Sequence, residues 1–194
     1  TALGGKVVLE DIYTTTDQDF SAQVARLQAA GAVDALFASS GPDTAGIIVK
    51  QVREAGMKLP IFAGDGFDTD LIVTVPGKEL ADNIYFTTHA YVGLDTGPAN
   101  EFRAAYKKEY GNDPENAFAA LGYDAMGLVA DAITRANSTD PVAVQKALAA
   151  TSGYDAVTGK IAYPAGKRVP SKPVAIMHVQ KGEVKLETTV TPKG

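Results

Sequence analysis

Cysteine and tryptophan are both absent from the 194 residues. Without a thiol there is no disulfide framework, no thiolate nucleophile, no cysteine-ligated zinc and no iron–sulfur centre. Histidine is scarce: only His89 and His178 occur, neither at a ligand spacing such as HxxxH or HxxE, which argues against a metal site. Basic charge is in the minority, with Asp+Glu 23 against Lys+Arg 18, and no stretch concentrates it. That balance argues against a nucleic-acid partner. Long hydrophobic runs are missing as well, so the expectation is that nothing spans a membrane. No basic, apolar, small-residue leader opens the sequence, so an export signal is expected to lie outside it. What is present is 45% apolar residues at a formal net charge of only −5, enough to bury a core and too little charge for disorder.

The apolar residues fall into alternating strand and helix patterns. Val7 to Tyr13 is β-branched and apolar and reads as a first, buried strand. Asp19 can cap a helix with Phe20, Val24 and Leu27 on one face, stopped by Gly31. Ala32 to Ala38 reads as a second strand. Asp43 then caps a helix carrying Ile47, Ile48, Val52 and Ala55, closed by Gly56. Pro60 to Ala63 and Ile84 to Thr88 read as the third and fourth strands, with a helical turn near Asp70 to Val75 between them. Strand starts recur every 25 residues or so, roughly the length of a strand plus a crossover helix, and this predicts an α/β fold with a parallel, doubly wound sheet.

The rhythm changes after Tyr91. Helices are expected over 99–110, 115–135 and 141–150, the first with Pro98 at its start and the last capped by Asp140. Phe118, Leu121, Leu128, Val129 and Ile133 mark the apolar face of the middle one. Strands return over 159–163, 173–179 and 183–190, with Lys181-Gly182 as a tight hairpin turn.

In an open parallel sheet, ligands bind beyond the carboxyl ends of the strands. Four short segments hold that place: Thr14–Thr16, Ser39-Ser40-Gly41, Gly64-Asp65-Gly66 and Thr88-His89-Ala90. They are small, hydroxylated and glycine-rich, which suits a small polar solute held by hydrogen bonds. Asp65 admits two readings, a common Asp-Gly turn or a countercharge for a cation such as an ammonium. Ser39 and Ser40 likewise read as polar strand exits or as donors to a ligand. His89 reads as a structural hydrogen-bonder more readily than as a catalyst. No GxxxxGK[ST] loop cradles a phosphate and no GxSxG elbow holds a nucleophile, so there is no positive case for an enzyme or for a cofactor. Lys107-Lys108 reads as a solvated helix face.

The ordered stretches DFSAQVARLQAAGAVDALFAS (19–39), GPDTAGIIVKQVREAGMKLPIFAGDGFDTD (41–70), ALGYDAMGLVADAITRANSTDP (120–141) and TGKIAYPAGKRV (158–169) closely resemble type I periplasmic solute-binding proteins of ABC importers, in the branched-chain amino-acid-binding class. The resemblance implies two α/β lobes with a hinge, closing on a solute. It also implies that this is a partial chain, about half of a full-length member. Thr1–Gly5 is similar to a helix end inside the second lobe, so the chain is expected to start within the protein. Residues 1–90 then belong to lobe two, 91–174 to lobe one, and 175–194 return to lobe two. His89, Ala90, Tyr91, Val174, Ala175 and Ile176 match the hinge crossovers.

The resemblance further implies that Asp65 pairs with the ligand's α-ammonium group, flanked by Gly64, Gly66 and Phe67. Ser39, Ser40, Gly41 and His89 are ligand-side candidates by their place at the strand ends. Ser40-Gly41 departs from members that carry an aromatic residue there. Ala120 stands where some members place a large aromatic, and a small residue there leaves room for a bulkier solute. The expected partners are a small-molecule ligand and ABC permease subunits, in the periplasm, or lipid-anchored outside the cytoplasm if the source has no outer membrane. A signal peptide is expected in the precursor. Two other readings keep the fold: a ligand-sensing receptor module, or a binder of a non-amino-acid solute such as an aromatic carboxylate or small amide.

Overall fold

Parallel strands need crossover helices, and residues 21–88 supply the two in alternation. In the computed structural model, which describes residues 4–191, helix α1 (Ser21–Ala29) leads to strand β1 (Leu36–Ala38). Helix α2 (Pro42–Glu54) leads to β2 (Ile61–Ala63), and the short α3 (Leu71–Thr74) to β3 (Ile84–Thr88). β1 pairs with β2 and β2 with β3, both parallel, in the register Leu36–Ile61–Ile84 to Ala38–Ala63–Phe86. Helices α4 (Gly97–Tyr110), α5 (Ala117–Ala136) and α6 (Pro141–Ala149) follow. Then come an antiparallel hairpin of β4 (Ser152–Ala156) and β5 (Gly159–Ala162), and the strands β6 (Val174–Gln180) and β7 (Glu183–Val190). The main sheet has the order β1-β2-β3-β6-β7. This is the α/β, parallel-sheet class that the sequence predicts.

The chain divides into two units. One holds the residues up to Thr87 together with Met177–Lys185; the other holds Thr88–Ile176 and the segment from Leu186.

In the first unit, α1 starts where the Ser21 amide donates to Asp19 at 2.9 Å, and it buries Val24 and Leu27 behind Phe20. Gly31, at φ +83°, turns the chain toward β1 through the left-handed region that other residues avoid. α2 begins behind Gly41 with Pro42 in its first turn. Asp43 is therefore not the cap the sequence suggests, but lies within that first turn, where a carboxylate still faces the positive helix end. Gly46 lets α3 lie against α2, because a Cβ there would stand 2.2 Å from the Leu71 carbonyl oxygen. Ile61, Ala63, Ile84, Phe86, Met177 and Val179 form the covered face of the sheet, and each large side chain among them contributes about 1.5–3 kcal/mol on burial. On the other face, the Phe62 and Tyr85 rings stack at 5.3 Å, and Tyr85 and His178 at 4.2 Å.

In the second unit Asp140 caps α6 as the sequence suggests, while Thr96, Asn116 and Asn137 supply helix ends that it did not indicate. The Asp140 carboxylate accepts from the Val142 and Ala143 amides at 3.1 and 3.0 Å, and the Thr96 hydroxyl accepts from Ala99. Asn116 opens α5, and Asn137 closes it in the left-handed conformation.

Three further expectations need correction. Val7 to Tyr13 forms no strand: Val7, Val8 and Ile12 are exposed, and the run joins no sheet among the described residues. A β-branched run becomes a strand only where a neighbour completes its hydrogen bonds. The second strand is only Leu36–Ala38, because Ala32 to Ala35 do not join the ladder. The buried stripe of α5 is Ala117, Ala120, Asp124, Leu128 and Ala132, while Phe118 and Val129 are exposed. Close packing on α6 and β4 selects the small side chains rather than the large ones. α5 is also long and apolar enough to cross a membrane by length and composition, although its buried stripe carries the hydrogen-bonded Asp124. The helix end expected over residues 1–5 lies, for its first three, outside the described residues.

Candidate functional site

The register of β1 and β2 sets their exits side by side, since Ala38 is opposite Ala63. Neighbouring strands lie about 4.8 Å apart, so the chain leaves β1 at Ser39 and β2 at Gly64 within reach of one small solute. Beyond β2 the chain makes a single tight turn, Asp65–Phe67, in which the Phe67 amide donates to the Gly64 carbonyl at 3.2 Å. That turn exposes Asp65 and drives Phe67 completely inside.

Gly66 has to be glycine for a steric reason. A Cβ at this position would lie 1.7 Å from the Ser40 carbonyl oxygen and 3.2 Å from the Gly41 Cα. The two exits therefore touch through their backbones. Around them there is room: a Cβ on Gly41 or on Gly64 would meet nothing within 4 Å.

The segment before α1 reaches the same place. The Tyr13 hydroxyl donates to the Ser39 carbonyl at 2.6 Å, and its ring meets Phe20 edge-on at 5.3 Å. Thr14 folds back on Asp17, donating from its amide at 2.8 Å and from its hydroxyl at 2.6 Å. Those two bonds hold the Asp17 carboxyl below the usual carboxylate range. The Ser40 hydroxyl is buried and has no hydrogen-bond partner among the described residues.

Of the residues singled out in the sequence, Ser39, Ser40, Gly41, Gly64, Asp65, Gly66 and Phe67 come together at these two exits of the first unit. His89 and Ala120 are in the second unit. The His89 ring meets Phe118 edge-on at 5.8 Å. Ala120 has no exposed surface, and neither does Phe67. The chain passes between units at Thr87–Thr88, Ile176–Met177 and Lys185–Leu186. Sequence reasoning missed Tyr13 as part of this cluster, because an aromatic at the end of an apolar run reads as one more strand residue.

Two other polar clusters serve the fold. Arg53, half-buried on α2, donates to the carbonyls of Met57, Leu59 and Asp82 at 2.9, 3.0 and 2.8 Å, and burial pushes its guanidinium pKa down. It stands in a cavity of about 460 Å³ lined by Lys58, Asp82, Asn83 and His178. Lys58 and Asn83 precede β2 and β3, so this cavity is at the strand entries, the opposite end from Asp65. In the second unit, Asp124 accepts from the amides of Val157 and Thr158 at 2.8 and 2.9 Å and from the Thr158 hydroxyl at 2.7 Å. Lys172 donates to that same hydroxyl oxygen at 2.7 Å, and burial lowers its pKa. Among the described residues, no group of three His, Cys, Asp or Glu is placed to hold a metal ion.

Residues 1–183 match the family described as periplasmic binding protein. The Leu/Ile/Val-binding protein homolog 1 of Brucella abortus is 28% identical over 91% of this chain and 46% of its own length. Among solved structures, the leucine binding protein LivK of Thermotoga maritima is 31% identical, with a TM-score of 0.87 over 98% of this chain and 53% of that one. LivJ of Streptococcus pneumoniae, a branched-chain amino acid transporter substrate binding protein solved with isoleucine, is 30% identical. Its TM-score is 0.78, over 93% of this chain and 51% of that one. The chain thus spans about half the length of each relative.

Proposed function

The chain belongs to the periplasmic binding protein family, and from that premise we propose that it is part of an extracytoplasmic solute-binding protein that captures an amino acid or close analogue for an ABC importer. The observation that carries this reading is the exposed Asp65 carboxylate at the exit of β2, beside open space at Gly64 and Gly41. A carboxylate so placed is a countercharge for an α-ammonium group, and charge-assisted bonds of this kind are about twice as strong as neutral ones. Ser39 and Gly41 supply short polar neighbours, and the backbone contact at Gly66 keeps the two exits in fixed register.

In this proposal the protein has no chemistry of its own. It works outside the cytoplasm and hands its solute to permease subunits. The residues up to 90 and from 175 onward form part of one lobe, and 91–174 part of the other. His89, Ala90, Tyr91, Val174, Ala175 and Ile176 serve as hinge positions, close to two of the places where the chain passes between units. The names of the relatives, which include leucine, isoleucine and valine binders, support an aliphatic amino acid as the first solute to try.

Isothermal titration of the full-length protein with the L-amino acids, and with benzoate as an aromatic carboxylate, tests the reading. Binding of at least one L-amino acid is the expected result. Binding of benzoate alone would replace the amino-acid reading with a different solute class.

A further inference from the structure

The exit of β1 is held on two sides. On one side the Tyr13 hydroxyl donates to the Ser39 carbonyl at 2.6 Å. On the other the Ser40 carbonyl lies against Gly66, at a place where any Cβ would collide with it. Between these two restraints the Ser40 hydroxyl is buried without a partner among the described residues. An unrestrained strand exit would turn that hydroxyl toward water or toward a neighbouring carbonyl, because an unpaired buried polar group is costly. The exit is therefore held from outside itself, by the Tyr13 phenol and by the Gly66 backbone.

Tyr13 is well placed to impose this. It belongs to a segment with no regular secondary structure, yet its ring is fixed edge-on to Phe20, itself buried at the start of α1. Phe20 is in turn tied to α2 by its amide, which donates to the Gln51 side chain at 2.7 Å. A rigid chain of contacts therefore runs from the body of the unit, through Phe20 and Tyr13, to the Ser39 carbonyl.

We infer that Tyr13 is a positioning residue of the solute site: its phenol fixes the Ser39–Gly41 exit so that Ser39 and Gly41 stand ready beside Asp65. The inference rests on the solute-binding reading above, and it adds that pre-organisation comes from outside the two exits themselves. A direct bond from Tyr13 to solute is not required, since its hydroxyl is already committed to Ser39.

The test uses the full-length protein, with L-leucine, L-isoleucine and L-valine as probes, and the variants Tyr13→Phe, Ser39→Ala and the double variant. Tyr13→Phe keeps the ring and removes only the hydroxyl. It is expected to weaken binding about three- to tenfold, and the double variant to lose less than the product of the two single losses. Amide hydrogen exchange on the unliganded protein gives a second readout: Tyr13→Phe should speed exchange at Ser39–Gly41 and leave β2 and β3 unchanged. Wild-type affinity together with unaltered exchange in Tyr13→Phe would overturn the inference. If the wild type binds none of the three amino acids, the amino-acid reading falls, and exchange alone still decides whether Tyr13 holds the exit.

Discussion

Asp124 and Asp65 are both aspartates in short polar stretches, and the two units treat them in opposite ways. Asp124 is buried on the inner face of α5, and three donors from the turn between β4 and β5 satisfy it. Asp65 is exposed on a turn that the fold barely covers. Two hydroxyls also differ: Thr158 donates to Asp124 and accepts from Lys172, whereas the Ser40 hydroxyl is buried with no partner among the described residues. A polar group that is buried with all its partners holds a structure together. A carboxylate exposed at a strand exit is within reach of a solute.

Three substitutions sharpen or break that contrast. The largest effect is expected at Asp124. Replacing it with Ala leaves two amides and a hydroxyl without their acceptor, for a loss of about 3 kcal/mol or more in urea unfolding. A loss below about 1 kcal/mol would mean that water replaces the carboxylate easily, and the contrast would fail.

Gly66→Ala comes second. Its Cβ would sit 1.7 Å from a backbone oxygen, so the two exits have to separate. Overpacking of this kind costs about 1–3 kcal/mol, and solute affinity should fall with it. A variant with unchanged melting temperature and affinity would show that the contact between exits does not set the site.

Ser40→Ala has the smallest effect and the opposite sign. Removing a buried, unpaired hydroxyl should leave stability unchanged or raise it by up to about 1 kcal/mol, read as a melting temperature a few degrees higher. A clear destabilisation would show that the hydroxyl finds a partner in solution.

Much of this was legible in the sequence, for identifiable reasons. β3 falls at Ile84–Thr88 as expected, since a short β-branched and aromatic run between turn residues has one reasonable fate. α6 begins at Pro141 behind Asp140 because that pair is both a cap and a helix start. The turn at Lys181-Gly182 has both residues at positive φ, as its composition suggests. β4 was not legible: Ser152–Ala156 has no apolar alternation, and it pairs with β5 across a turn fastened by the distant Asp124. The inward face of α5 was misread because packing, not size, chose which side chains face in. At the site, Asp65 and its glycines stood out by their place after a strand. The reach of Tyr13 to Ser39 spans 26 residues and leaves no local signal.

The most direct test of the central claim is the affinity of the full-length protein for the amino acid it binds best, measured with Asp65 intact and with Asp65→Ala. If the carboxylate is the countercharge of the ammonium group, the variant should lose about tenfold or more, the cost of a charge-assisted bond. An affinity equal to that of the wild type would contradict the account, because the residue on which the proposed site is centred would then hold no solute.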